Sequence, residues 1–194
     1  MDENTKMTPA ALKILDTASQ LFYWRGIHSI GVATIANEAG VTKKTLYDCF
    51  GSKDQLIVAY LKERDHQWRI HLYNYLERVP NHEPLEKILS IYDALESWLE
   101  TKNQRGCAFI NALAELNEES HPGRDVIIEE KKWLKQLFTK FLKEIGFSNT
   151  EEIGDQLLML HEGMMVTYSM SLSSNGIGSV KEAVKIIINL NKQG

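Results

Sequence analysis

Cysteine, proline and long apolar runs are scarce in this chain. Its 194 residues include two cysteines, Cys49 and Cys107, set far apart. That usage reads as reduced thiols in a cytoplasm, with a disulfide or redox switch as the alternative. No apolar run approaches the ~20 residues needed to span a membrane, so no membrane partner is expected. The segment MDENTKMTPAALK is polar, with Asp2 and Glu3 near its start and no apolar run, unlike a secretory signal. His28, His66, His71, His82, His121 and His161 form no His-Glu-x-x-His pattern, and there is no Cys-x-x-Cys. A Gly-rich phosphate loop and a nucleophile elbow are also missing. The expectation is therefore no metal, no cofactor and no enzyme. Strand-like alternation, repeats and low-complexity tracts are absent too, which points to an all-α chain.

A surplus of positive charge is lacking as well. The net charge is −4, whereas nucleic-acid binders are usually basic somewhere. Residues 1–60 balance six Lys or Arg against six Asp or Glu, so the whole deficit lies in 61–194. Within 41–53, however, Lys43, Lys44 and Lys53 face only Asp48.

That basic stretch belongs to the most informative segment, IGVATIANEAGVTKKTLYDCFGSKDQL, residues 30–56. Val32, Ile35, Ala36 and Ala39 repeat at the spacing of one buried helical stripe. Gly40 ends that helix and Val41 plugs the turn. Thr42 is a good N-cap for a second helix. In it Leu46 and Phe50 should face inward, leaving Lys43, Lys44, Thr45 and Tyr47 on or near the surface. Ser52-Lys53-Asp54-Gln55 reads as a capping box opening a third helix. Lys53 in that first turn opposes the helix dipole, a placement that fits a phosphate bound nearby. This layout is a helix-turn-helix, whose second helix enters the DNA major groove.

Elsewhere the pattern is helical. Thr8-Pro9 caps and opens a first helix, with Leu15, Ala18, Leu21 and Phe22 on one face and Gly26 at its end. Helical pattern then runs from 53 to about 79, from Pro84 to about 102, and from Cys107 to about Leu116. It resumes from Pro122 to Ile145, from the Ser148-Asn149-Thr150-Glu151 box to about Ser173, and from the Ser179-Val180-Lys181-Glu182 box to Leu190. The expected fold is all-α with about nine helices: an N-terminal three-helix helix-turn-helix domain (1–52) and a larger helical domain (53–194). Residues 153–172 are apolar on more than one side, so that helix needs two partners. Together with the last helix it nominates Ile153, Leu157, Met164, Leu172, Val184 and Ile187 for a dimer interface. Trp68, Trp98, Cys107, Phe109, Trp133, His161, Met165 and Tyr168 are candidates to line a cavity, with Glu162 as a further polar group. Plain core packing is the alternative for these aromatics.

The stretch from Ile14 to Leu56 resembles the N-terminal domain of TetR-family transcriptional regulators. The resemblance rests on Ile14, Ala18, Leu21-Phe22, Gly26, Ile35-Ala36, Ala39-Gly40-Val41, Thr45-Leu46-Tyr47, Phe50 and Ser52-Lys53, and covers about residues 10–57. The rest agrees only in length and helical character. Gly31 stands where the family often has Ser or Thr, Lys44 where it has small residues, and Asp48-Cys49 where Tyr or His are common. The resemblance implies a homodimeric repressor that binds a near-palindromic double-stranded DNA operator. Thr42, Lys43, Lys44 and Thr45 would meet base edges or adjacent backbone, and Thr34, Tyr47 and Lys53 the phosphate backbone. It also implies a four-helix dimer interface, and a small-molecule inducer whose binding moves the recognition helices off the ~34 Å spacing of successive major grooves. A DNA-binding regulator without ligand control, and a helical protein-interaction module, stay open as alternatives.

Overall fold

The computed structural model describes residues 7–102, 105–172 and 175–192. Among them the chain forms nine α-helices and no strand. These are α1 (Pro9–Arg25), α2 (Val32–Glu38), α3 (Lys43–Phe50), α4 (Lys53–Leu76), α5 (Pro84–Lys102), α6 (Ala108–Glu115), α7 (Pro122–Ile145), α8 (Thr150–Ser169) and α9 (Gly176–Asn191).

Two compact units emerge. One runs to Arg64 and takes in Ala108–Ile128; the other comprises Asp65–Cys107 and the chain from Glu129 onward. The division thus falls inside α4 and α7, not at the 52/53 boundary expected from sequence. The reason is that α4 is one uninterrupted helix whose first turns share the core of α1–α3.

In the first unit, α1 packs on α2 and α3, and α2 on α3. Ile14, Ala18, Ile35, Ala39, Leu46 and Leu56 are completely or almost completely buried. Thr8 Oγ1 accepts the Ala11 N–H at 3.2 Å, so the Thr-Pro start acts as the sequence indicates. Gly40 has φ of +63°, a left-handed value that lets the chain reverse between α2 and α3 without a side-chain clash. Phe50 departs from expectation: it is half-buried, because the closing turn of α3 lies at the edge of the unit.

In the second unit, α5, α8 and α9 pack together. The Tyr92 hydroxyl donates to the Leu157 carbonyl at 2.8 Å, and its ring stacks 5.8 Å from Phe138. A Cβ on Gly154 would lie 2.7 Å from Thr139 Cγ2, so this glycine permits the close approach of α8 to α7. Lys181 pairs with Asp93 at 2.7 Å, tying α9 to α5. Helix ends differ in places from the sequence reading. α4 stops at Leu76. Asn149, not Ser148, caps α8, and its amide donates to Asn191 Oδ1 at 2.8 Å. α9 begins at Gly176, so Ser179 lies inside the helix, donating to the Asn175 carbonyl at 3.0 Å. α8 closes at Ser169; Ser173, its expected end, and Asn103 and Gln104, in an expected helix break, lie outside the described residues.

Candidate nucleic-acid interface

The exposed face of α3 is set by what its opposite face buries. Leu46 is 0% exposed and fixes the rotation of this eight-residue helix against α1 and α2. Thr42, Lys43, Lys44 and Tyr47 consequently face outward, and Thr45 is half-buried. Thr42 Oγ1 accepts the Thr45 N–H at 3.1 Å and lies 2.9 Å from the Thr45 hydroxyl. The cap therefore fixes the start of α3 and aligns two hydroxyls beside two lysines. Lys44 donates to Asp48 Oδ2 at 2.8 Å, one turn along the same face. That hydrogen bond, reinforced by the carboxylate charge, raises the Lys44 pKa above its ordinary value. Part of the patch's positive charge is neutralised by this pair.

Lys53 is placed differently. Ser52 Oγ accepts the Gln55 N–H at 3.1 Å, so the capping serine acts as expected. The Lys53 ammonium, half-buried, donates to the Ile27 carbonyl at 2.7 Å and lies 6.0 Å from the Phe22 ring centre. Burial lowers its pKa, with Asp54 and Glu115 working the other way. One of the three ammonium hydrogens is therefore spent holding the loop after α1. Thr34 is half-buried on α2. Arg25 pairs with Glu38 at 3.0 Å, joining the ends of α1 and α2.

The loop between α1 and α2 has an anchor that sequence reasoning missed. Glu115, at the end of α6, accepts the His28 N–H at 2.7 Å. A Cβ on Gly26 would lie 3.1 Å from both oxygens of that carboxylate. His121 Nε2 stands 3.5 Å from Asp54 Oδ1 in α4. α6 and the chain after it are thus tied to the helix-turn-helix through polar contacts. No local pattern signals a contact between residues so far apart in sequence.

The candidate cavity residues separate into groups. Trp68, Trp98 and His161 are buried together: the Trp68 ring lies 5.5 Å from Trp98 and 6.0 Å from His161. Cys107 Sγ is 3.8 Å from Lys131 Nζ, which is 2.9 Å from Glu162 Oε1. Sequence reading named Cys107, His161 and Glu162 but missed Lys131 and Glu130, whose charges look like ordinary helix surface in a charge-rich stretch. Trp133 lies elsewhere, in a groove of about 390 Å³ lined also by Tyr73, Lys87, Leu137 and Phe141. The Arg69 guanidinium covers its ring at 4.0 Å. Met165 is buried and Tyr168 half-buried, while Phe109 is a buried residue of the first unit.

The nominated interface residues need correction. Ile153, Leu157, Met164 and Val184 are buried inside the single chain and fill its own core. Ile187 is half-buried, and only Leu172 is largely exposed. A helix apolar on two sides has an inner and an outer face, and periodicity alone does not say which is which. The outward stripe is Met159, Gly163 and Val166 on α8 and Met170 directly after it, with Ile186 and Leu190 on α9. Met159, Met170 and Leu190 are each more than 60% exposed.

Comparison with known proteins agrees with this geometry. Residues 14–60 match the family described as "Bacterial regulatory proteins, tetR family". A crystal structure of a TetR-family transcriptional regulator from Streptomyces coelicolor superposes with a TM-score of 0.84 at 29% identity, covering 94% of this chain and 95% of that one. The uncharacterised HTH-type transcriptional regulator YxaF of Bacillus subtilis is 24% identical over 190 residues, 91% of this chain and 93% of YxaF. The HTH-type transcriptional activator FasR of Mycolicibacterium smegmatis is 44% identical over 50 residues, but that match spans only 26% of this chain and 23% of FasR. These relatives are transcriptional regulators, not enzymes.

Proposed function

Since this chain is a TetR-family DNA-binding transcriptional regulator, we propose that it works as a cytoplasmic homodimeric repressor that recognises a near-palindromic operator and is released by a small molecule. The observation that carries the reading is α3 itself. Buried Leu46 locks the helix, and its outer face presents Thr42, Lys43, Lys44 and Tyr47. Hydroxyls and ammonium groups at the start of such a helix suit base edges and flanking phosphates. Thr45 adds a hydroxyl, Lys53 a phosphate contact and Thr34 a backbone contact.

One protomer offers a weak electrostatic footprint, because its lysines are opposed by Asp48. Two protomers double the contacts and read two half-sites one helical turn apart. The exposed stripe on α8 and α9 supports this pairing, since contiguous exposed apolar surface of this kind marks an interaction site. A Cβ added to Gly163, within the stripe, would meet nothing within 4 Å, which leaves room for a partner helix. The buried group around Trp68, Trp98 and His161 supports a ligand site in the second unit. A ligand there releases the operator only by binding the DNA-incompetent state better than the competent one.

Selection of bound sequences from a random duplex library at moderate salt tests the reading. An enriched inverted repeat is expected. A folded dimer that enriches nothing, even after refolding to strip bound ligand, would overturn it.

A further inference from the structure

The buried ionic cluster on α7 and α8 leaves polar atoms without a hydrogen-bond partner. Glu130 and His161 are each 2% exposed. Lys131 Nζ lies 2.9 Å from Glu162 Oε1, 3.0 Å from Glu130 Oε2 and 3.8 Å from Cys107 Sγ, so acceptors already surround this ammonium. His161 Nδ1 lies 3.1 Å from Glu162 Oε1. Burial alone would push the Glu162 carboxyl upward, but the His161 hydrogen bond and the Lys131 charge hold it at about 2. An ionised carboxylate only accepts, so His161 Nδ1 is the donor in that contact.

The buried atoms of this cluster without a hydrogen bond are His161 Nε2, Glu162 Oε2 and Glu130 Oε2; the last is near Lys131 but not aligned with it. The two carboxyl oxygens are acceptors left without a donor. The missing group is therefore a hydrogen-bond donor, and a cationic one makes the strongest pairing with buried carboxyl oxygens. Burial raises the Glu130 pKa, and an arriving cation would favour its ionised form. The side chains of Lys131 and Glu162 keep 18% and 25% exposure, so the cluster is open along one edge. The Trp68 ring beside His161 supplies an aromatic face of the kind that attracts cations.

We infer that Glu130, His161 and Glu162 form the polar end of a ligand site that takes a protonated primary or secondary amine bearing an apolar group. The assignment rests on the ligand-controlled reading above. An anion would meet two carboxylates, and a quaternary ammonium has no N–H to give. A neutral alcohol brings one donor and no charge.

The full-length protein is titrated with phenethylamine, with 2-phenylethanol and trimethyl(2-phenylethyl)ammonium as controls, by calorimetry and tryptophan fluorescence. Saturable amine binding, roughly tenfold or more tighter than either control, is expected. Glu162→Gln should lower amine affinity roughly tenfold and leave the alcohol unchanged. Equal binding of all probes would mean apolar contact alone. No amine binding below about 10 mM would mean that water satisfies the acceptors. Either result overturns the assignment, as does a folded Glu162→Gln protein with wild-type amine affinity. Should that variant not fold, the probe comparison on the unmodified protein still decides. Release of a selected operator by a non-amine compound, with no amine bound, overturns the amine and spares ligand control. Amine bound at this cluster without effect on operator affinity does the reverse.

Discussion

Glu115 Oε2 accepts the His28 backbone N–H at 2.7 Å, joining the end of α6 to the loop that precedes the helix-turn-helix. Gly26 makes this possible, with φ of +88° and no Cβ to collide with the carboxylate. Glu115→Ala should cost about 1 kcal/mol of stability, the worth of one such hydrogen bond. Gly26→Ala should cost about 1–3 kcal/mol, since its backbone region is almost closed to other residues. Thermal melts of both variants and the double variant check this. The double variant should recover the part due to the carboxylate clash but not the backbone part.

Lys53 holds the Ile27 carbonyl and also stands at the start of α4. Lys53→Ala should weaken binding to every DNA sequence alike and flatten the salt dependence by about one unit. It should also lower the melting temperature, because the Ile27 carbonyl loses its partner. Anisotropy titrations across salt concentrations measure the slope. An unchanged slope would remove Lys53 from the phosphate contacts and leave it a loop anchor.

The exposed Lys44–Asp48 pair is an (i, i+4) contact, and solvent screening leaves it little weight in the stability of the helix. Its larger effect is on charge. Asp48→Asn should leave the fold intact, free Lys44 and tighten non-specific DNA binding with a steeper salt slope. The same titration on random duplex reads both.

The outward stripe of α8 and α9 gives a test that separates interface from core. Val166→Glu with Leu190→Glu should produce a folded, helical monomer, because both side chains are at least half exposed. Leu157→Glu should not fold, because Leu157 is 0% exposed and a carboxylate there would be buried in the core. Sedimentation and circular dichroism distinguish these outcomes. A stable dimer from the double variant would move the interface elsewhere.

Glu162 gives a pH signature. Its carboxyl is held at about 2, below the ordinary 4.5, by His161 and Lys131 against the opposing effect of burial. Its contribution to stability is therefore present above 4.5 and is lost as pH falls from 4.5 toward about 2. Glu162→Gln should be less stable than the parent at neutral pH, with the gap closing over that acid window in thermal melts.

Much of the helix-turn-helix is legible in the sequence because its signals are local. Thr8-Pro9, Gly40, Thr42 and Ser52 each act within a few residues of themselves, and each acts in the structure as the sequence indicates. The all-α pattern is legible for the same reason. The α8 and α9 caps are not, because Ser148 and Ser179 resemble capping residues while Asn149 and Asn175 hold those positions. Nor is the face of α8 turned inward: Ile153 and Leu157 are as apolar as Met159 and Val166, and only tertiary packing separates them. The Glu115–His28 contact and the Glu130–Lys131–Glu162 cluster join distant segments, where no spacing rule reaches.

Operator recognition by a dimer requires two recognition helices to read two half-sites at once. The decisive comparison is the affinity for the selected inverted repeat before and after about 5 base pairs, half a helical turn, are inserted between the half-sites. High-affinity binding should be lost, because the half-sites then lie on opposite faces of the duplex. Unchanged affinity for the interrupted site would show that each protomer binds alone and that the paired reading is wrong.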